Sequence, residues 1–249
     1  MIYFCIISVN VVFMHTEKVL IGSNDVDSSL TLRVTSLFKI IQDVIMHHSE
    51  KINVGVSETI EKGILWVVSR VHIVLNRLPK YQEEVICETY PGKTKLGLIY
   101  PRFFKMKDKN GNTLISFSSI WSLMDKEKRK PTTSKVIEER CIPEERDDEL
   151  SLPEKVEEIE ASEILKRKVQ YSDVDLNGHL NNTRYMEILS DIHDSDFYKT
   201  HQIKSLTLNY MKEIREGESI SLLYGQSKTE YIEFKVNNNP VFRANIAYK

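Results

Sequence analysis

The chain is 249 residues long, with 41% apolar and 28% charged residues, a balance that excludes wholesale disorder. Lys and Arg total 34 against 36 Asp and Glu, a formal net charge of -2, so the molecule as a whole exerts no electrostatic pull on nucleic acid or anionic lipid. Cys5, Cys87 and Cys141 are far apart and not in CxxC spacing, which argues against a disulfide framework or a thiolate metal site and for a reducing, cytoplasmic compartment.

Residues 1 to 14, MIYFCIISVNVVFM, are apolar except for Ser8 and Asn10. The run is shorter than the roughly 20 residues a membrane span needs. It also lacks the basic start and small-residue cleavage site of a signal peptide. It is read as an addition ahead of a true start at Met14, with an extra strand or an anchor as alternatives. No organelle address is evident.

Further along, the chain matches itself. Residues 25–44, DVDSSLTLRVTSLFKIIQDV, align without a gap at an offset of 148 with 173–192, DVDLNGHLNNTRYMEILSDI. Asp25/Asp173, Val26/Val174, Asp27/Asp175, Leu32/Leu180, Thr35/Thr183 and Asp43/Asp191 are identical. Apolar positions 37, 40, 41 and 44 meet 185, 188, 189 and 192, spacings of three and four that predict one buried helix face in each half. Runs rich in β-branched and aromatic residues then predict strands over 64–76, 83–90, 97–107 and 113–125, with a hairpin signal at Asn110-Gly111. The second set falls at 203–211, 219–226, 231–237 and 241–248. Each half thus reads as a strand, a long helix and four strands, an antiparallel sheet around a helix in an α+β arrangement. Between them, Lys126 to about Glu160 is charged and carries Pro131, Pro143 and Pro153, as an interdomain connection would.

The repeated unit, with Tyr171-Ser-Asp-Val-Asp-Leu-Asn-Gly-His179, Asn181-Asn182 and Tyr185, and with Leu206-Thr-Leu-Asn-Tyr210 leading to Lys212-Glu213, resembles the acyl-acyl carrier protein (acyl-ACP) thioesterases. Ile64-Leu-Trp-Val-Val-Ser-Arg-Val-His72, Ile120-Trp121-Ser-Leu-Met-Asp125 and Arg129-Lys130-Pro131 fit the same pattern in the first half. The resemblance implies two tandem hotdog domains, each a curved antiparallel sheet wrapped around a central helix. Their expected bounds are 15–136 for acyl-chain binding and 161–249 for catalysis, with 137–160 as linker. It implies a thiolester hydrolase of fatty acid biosynthesis that releases free fatty acid and ACP, needs no cofactor or metal, and binds no nucleic acid and inserts into no membrane. Homodimer formation is left open. An acyl-CoA thioesterase and a non-catalytic acyl-binding hotdog protein are the alternatives, and a hotdog hydratase ranks lower.

The resemblance places Asp175, Asn177, His179 and Glu213 in the catalytic set. A thiolate leaves readily, so a thioester needs chiefly a positioned water or carboxylate and a polarised carbonyl. Glu213 or Asp175 is the general base or the nucleophile, Asn177 orients it, and His179 shuttles a proton. Backbone N–H groups from Gly178 to Asn182 polarise the carbonyl. Many plant members carry Cys after the glutamate; here that residue is Ile214, so a carboxylate mechanism is expected. Ser29 and Thr31 stand opposite Asn177 and His179, which assigns chemistry to the second half.

Taken alone, several of these residues have plainer roles. Asp175 and Asn181 read as N-caps, His72 as a satisfied sheet histidine, and His47-His48 as a helix C-terminal pair with no third metal ligand near. Trp66, Phe103, Phe104 and Trp121 read as core or tunnel lining. Lys126, Lys128, Arg129 and Lys130 read as a solvated loop before a carrier-docking patch, and Lys93, Lys95, Arg102 and Lys105 as a second such patch.

Overall fold

The computed structural model describes residues 14–144, 146–147, 149–175 and 177–249. The apolar leader, with Cys5 and the expectation of a start at Met14, lies outside the described residues except for Met14 itself. The first half runs β1 (His15–Leu20), a 3-10 turn (Ser23–Asp25), α1 (Val34–Lys51), α2 (Val56–Glu61), β2 (Ile64–Leu75), β3 (Glu84–Pro91), β4 (Tyr100–Lys107) and β5 (Thr113–Asp125). A two-residue β6 (Pro131–Thr132) and α3 (Lys135–Arg140) follow. The second half runs β7 (Ser162–Lys168), a 3-10 turn (Tyr171–Asp173), α4 (Asn182–Ser190), α5 (Ser195–Thr200), β8 (Ile203–Tyr210), β9 (Ser219–Gln226), β10 (Glu230–Val236) and β11 (Asn239–Tyr248).

All these strands belong to one antiparallel sheet, ordered β1-β3-β4-β5-β2-β8-β11-β10-β9-β7, with β6 beside β5. Counted outward from the β2–β8 seam, the two halves have the same strand order, so the duplication in sequence is a duplication of topology. The seam pairs Arg70 to Val74 with Asn209 to Ser205. Across it, His72 Nδ1 lies 2.9 Å from Thr207 Oγ1 and 3.1 Å from the Leu206 carbonyl, the satisfied sheet histidine expected of it. Helix α1 buries Leu37, Phe38, Ile41, Val44, Ile45 and His48, a stripe at helical spacing that packs into the core with Ile73, Phe104, Met106 and Phe117.

Three elements differ from the sequence reading. The helix of the second half is not long: α4 ends at Ser190 and α5 restarts at Ser195, because the Asp194 carboxylate caps the Asp196 and Phe197 N–H groups at 3.1 and 2.9 Å. The strand expected from Gly97 begins at Tyr100, since Leu96 and Gly97 take φ of 55° and 61° and form a turn closed by Lys95 and Ile99. His47 does have neighbours of metal-binding type: β1 brings Glu17 to 3.0 Å from it and His15 to 2.8 Å from Glu17. Strand periodicity puts His15 and Glu17 on one face, and the β1–α1 packing, invisible to spacing, supplies His47.

The connection between the halves is anchored at both ends. Ile137 of α3 is fully buried among Val54, Tyr100, Leu123 and Cys141 of the first half. Farther on, the Val156 N–H donates to Asn209 Oδ1 at 2.8 Å, and Asn209 Nδ2 donates to the Glu154 carbonyl at 3.2 Å. A side chain of the seam strand thus substitutes for a missing backbone partner, and Val156 is buried beside it. Replacing Asn209 by Ala strands a buried N–H and a carbonyl, a loss on the order of 1–3 kcal/mol. Asn209→Ala is therefore expected to unfold at clearly lower urea, measured by far-UV circular dichroism.

Candidate active site

The segment before each helix is built the same way twice. In the first half the Asp25 carboxylate accepts from the Gly22 N–H, and Asp27 Oδ1 accepts from the Ser29 and Thr31 N–H groups at 2.8 and 3.1 Å. In the second, Asp173 accepts from Gln170, and Asp175 Oδ1 accepts from Asn177 and His179 at 2.8 and 3.3 Å. Isolated bridges Val26–Leu32 and Val174–Leu180 close both loops. The tip residue is left-handed in each, Leu30 at φ 59° and Gly178 at 75°. In the first half Ser29 and Thr31, the counterparts of Asn177 and His179, turn to each other: the Ser29 hydroxyl donates to Asp27 Oδ1 at 2.7 Å and lies 2.8 Å from the Thr31 hydroxyl.

What those side chains meet differs between the halves. His179 bridges to Arg215, and its Nε2 lies 3.1 Å from Glu213 Oε2. Leu180 N–H donates to Ile214 as Leu32 N–H donates to Pro79, so Leu78 is the counterpart of Glu213. The first half thus holds Ser29, Thr31 and Leu78, and Lys80 Nζ donates to Thr31 Oγ1 at 2.6 Å. Of the four residues singled out from sequence, His179 and Glu213 are in contact, Asp175 is the staple of the loop, and Asn177 stands beside them.

The expected row of carbonyl-polarising amides is mostly occupied. The Gly178, Leu180 and Asn181 N–H groups donate to the carbonyls of Asp175, Ile214 and Asp173, and the His179 N–H to Asp175 Oδ1. Asn182, first residue of α4, keeps an N–H that helix geometry leaves without an intrahelical acceptor. Asn181 caps that helix, its Oδ1 taking the Thr183 N–H at 2.9 Å. No cysteine stands in this loop or next to Glu213 in the chain, and the described cysteines, Cys87 and Cys141, are both buried elsewhere in the fold. Ile214 is fully buried, and burial pushes Cys87 up to about 12 and Cys141 up to about 11.

Two cavities meet at this point. One, about 300 Å³, runs beneath α1 along Phe38, Ile41, Ile45 and Ser49, roughly 16 Å at 1.5 Å per residue. Trp66, Val68, Tyr100 and Trp121 form its opposite wall, while Asp175, Asn177, Asn182 and Tyr210 close the near end. Trp66 and Trp121 are thus lining, whereas Phe103 and Phe104 are core. The second opening is lined by His179, Asn177 and three cations, Lys126, Arg129 and Arg215, and it shares Ile60 and Leu65 with the first.

The basic segment 126–130 is therefore more than a solvated loop, because Arg129 donates to the Glu213 carboxylate. The other suggested patch does not form: Arg102 and Lys105 are 6% and 3% exposed. The Arg102 guanidinium points inward, to Thr89 Oγ1 at 3.1 Å and His48 Nδ1 at 2.6 Å, and burial pulls it down to about 10. Residues of metal-ligand type converge at His15, Glu17 and His47, which line neither cavity; Lys51 Nζ stands 3.1 Å from His15 Nδ1.

Comparison with known proteins agrees with this architecture. The model of the acyl-ACP thioesterase N-terminal domain matches residues 12–142, and that of the C-terminal domain matches 156–243. The chain belongs to the acyl-ACP thioesterase family. It is 25% identical to the oleoyl-acyl carrier protein thioesterase 2 of Arabidopsis thaliana over 91% of this chain and 67% of that protein. To the dodecanoyl-[acyl-carrier-protein] hydrolase of Cinnamomum camphora it is 26% identical over 78% and 54%. The chain spans about half to two thirds of the length of these curated relatives, which are chloroplastic by name. An acyl-ACP thioesterase structure from Bacteroides thetaiotaomicron superposes with a TM-score of 0.87 at 23% identity, covering 95% of this chain and 98% of that one. The 12:0-ACP thioesterase of Umbellularia californica gives 0.83 at 21%, covering 95% and 97%. The fold is the tandem hotdog.

Burial, and after it the positive charge of Arg129, hold His179 below the usual histidine value, against the pull of Asp175. A histidine depressed from about 6.5 stays neutral, and able to take a proton, to lower pH. The acidic limb of kcat/KM in a pH–rate series is accordingly expected below pH 6.5, and His179→Ala should remove it.

Proposed function

We propose that this chain hydrolyses the thioester between an acyl chain and acyl carrier protein, releasing the free fatty acid and the carrier thiol. The observation that carries the reading is the His179–Glu213 contact at 3.1 Å, set where an apolar cavity meets a cationic opening. The names of the relatives, which refer to oleoyl- and dodecanoyl-carrier substrates, support an acyl-ACP. In this reading residues 15–136 bind the acyl chain, 161–249 carry the hydrolytic residues, and 137–160 join them. The two described cysteines are free and buried, which fits a reducing, cytoplasmic setting.

The chemistry follows from the charges. The acyl chain lies under α1, with its carbonyl near Asn177 and Asn182. Water is deprotonated as its oxygen attacks the carbonyl carbon, and the proton passes to the His179–Glu213 pair. The Asn182 N–H and the Asn177 amide receive the developing oxyanion. The C–S bond then breaks, the thiolate leaves, and it takes the proton back from the pair. Glu213 is the better base of the two carboxylates. Asp175 spends one oxygen on two loop N–H groups, as Asp27 does in the half without a histidine.

In a thiol-release assay with acyl-ACP, His179→Ala and Glu213→Gln are each expected to cut turnover by about 10²-fold or more. The double variant should fall little further, because groups acting as one unit are not additive. Thr31→Ala in the first half should stay within a few-fold of the wild type. Full activity in a folded Glu213→Gln protein would remove its assigned role.

Chain length is set in the same reading by the first half. Val68 is a small lining residue, 6% exposed. Val68→Phe overfills the cavity, an effect on the order of 1–3 kcal/mol for a chain that needs the space. Released acids, identified by mass from a mixture of acyl-ACPs, should shift to shorter chains.

A further inference from the structure

We infer that Arg129, a residue of the first half, is a positioning residue for the reaction of the second half, so that the hydrolytic site is shared between the two. This deepens the hydrolase reading and rests on it. The guanidinium donates to Glu213, the carboxylate that contacts His179, across 84 residues of chain. It is held there from its own side. Asp125 Oδ1 accepts from the Glu127 and Lys128 N–H groups at 3.1 and 2.8 Å, Arg129 N–H donates to the Asp125 carbonyl at 3.0 Å, and Lys126 N–H donates to the Gly63 carbonyl at 2.9 Å.

The backbone of Arg129 reinforces the argument. Its φ is 51°, a left-handed conformation that a residue with a Cβ adopts only at a cost, so the turn itself gives no reason for an arginine there. Its object is also specific. Lys126 and Arg215 line the same opening, yet neither has a carboxylate partner among the described residues. Arg129 Nη2 donates to Glu213 Oε2, the same oxygen that lies 3.1 Å from His179 Nε2, so the guanidinium fixes which oxygen faces the imidazole. Without it, Glu213 is free to swing to Lys126 or Arg215 in the opening, and His179 loses a neighbouring positive charge.

A surface ion pair with a purely structural role contributes little and would leave the pH dependence alone. The test therefore measures thiol release from acyl-ACP by the full chain over a pH series, in the wild type, Arg129→Gln, Arg129→Lys, Glu213→Gln and the Arg129→Gln/Glu213→Gln pair. Arg129→Gln is expected to lower kcat about tenfold or more with KM changed less than threefold, and to move the acidic limb to higher pH. The sign follows from removing a positive charge near His179, which lets its protonation begin at higher pH. Arg129→Lys should recover part of kcat, since it restores charge without the guanidinium, and it is the decisive variant if Arg129→Gln folds poorly. In the Glu213→Gln background, Arg129→Gln should lower kcat no further. Wild-type kcat and an unmoved limb in folded Arg129→Gln, or a full additional loss in the pair, would overturn the inference while leaving hydrolysis intact. No thiol release by the wild type from any acyl-ACP would instead overturn the hydrolase reading.

Discussion

Strand β2 pairs on one side with β5 and on the other with β8, and the site depends on that shared strand. Pairing with β8 makes the two halves one sheet and sets their relative register. Pairing with β5 carries the 125–130 turn to the start of β2, where Gly63 receives Lys126. The end of β2 that holds Ile64 and Leu65 therefore lies between the acyl cavity and the opening, and Arg129 reaches Glu213 from just beyond it. A one-residue slip in the seam would turn every side chain of β8 to the other face. His72, bonded across the seam to Thr207, is well placed to oppose such a slip.

The paired loops act as an internal control on which residues serve structure and which serve chemistry. Asp25 and Asp173, and Asp27 and Asp175, make the same backbone hydrogen bonds. Because the first half needs them with no histidine present, those bonds belong to the loop. The differences fall at three places: Ser29 against Asn177, Thr31 against His179, and Leu78 against Glu213. Ser29 and Thr31 keep hydroxyls but offer no imidazole, and Leu78 has no carboxylate, so the first half lacks the contact that His179 and Glu213 make. Lys80 on Thr31 then fills the space an acid would occupy. Divergence after duplication thus left the backbone frame intact and acted on the side chains projecting from it.

Much of this was legible in the sequence because it is local. The alternation in Ile64–Leu75 and Thr113–Asp125 marks strands, and Leu37, Ile41 and Val44 mark a helix face. The offset that aligns Asp25 with Asp173 carries the loop as well. The break between α4 and α5 is masked because Ile188, Leu189 and Ile192 continue the helical spacing past the end of α4 at Ser190. Arg129 was read as part of a solvated charge run, since its partner lies 84 residues away and no local pattern announces an ion pair. The inward turn of Arg102 was hidden for a similar reason. Lys93, Lys95, Arg102 and Lys105 are close in number, but β4 buries two of them against the core side of the first half. The counterpart Leu78 is hidden as well: the constant offset of 148 sets it against Gln226, and only the matching hydrogen bonds of Leu32 to Pro79 and Leu180 to Ile214 pair it with Glu213.

The electrostatics of the site follow from where the charges sit rather than from how many there are. With a net charge of -2, the protein has no general attraction for an acidic carrier. The opening nevertheless gathers Lys126, Arg129 and Arg215 within one concave surface, where low-dielectric walls concentrate the field. Inside it, the single carboxylate in contact with His179 is matched to Arg129. This arrangement resolves a conflict. A base must be ionised to accept a proton, yet a carboxylate placed near an apolar cavity is pushed toward its neutral form. The Arg129 guanidinium, which cannot lose its proton, donates to the Glu213 carboxylate without becoming an acid itself. Burial first, and after it the positive charge of Arg129, hold His179 below the usual histidine value. One fixed cation thus contacts Glu213 and acts on His179 beside it, which makes the 125–130 turn of the first half part of the surroundings of both.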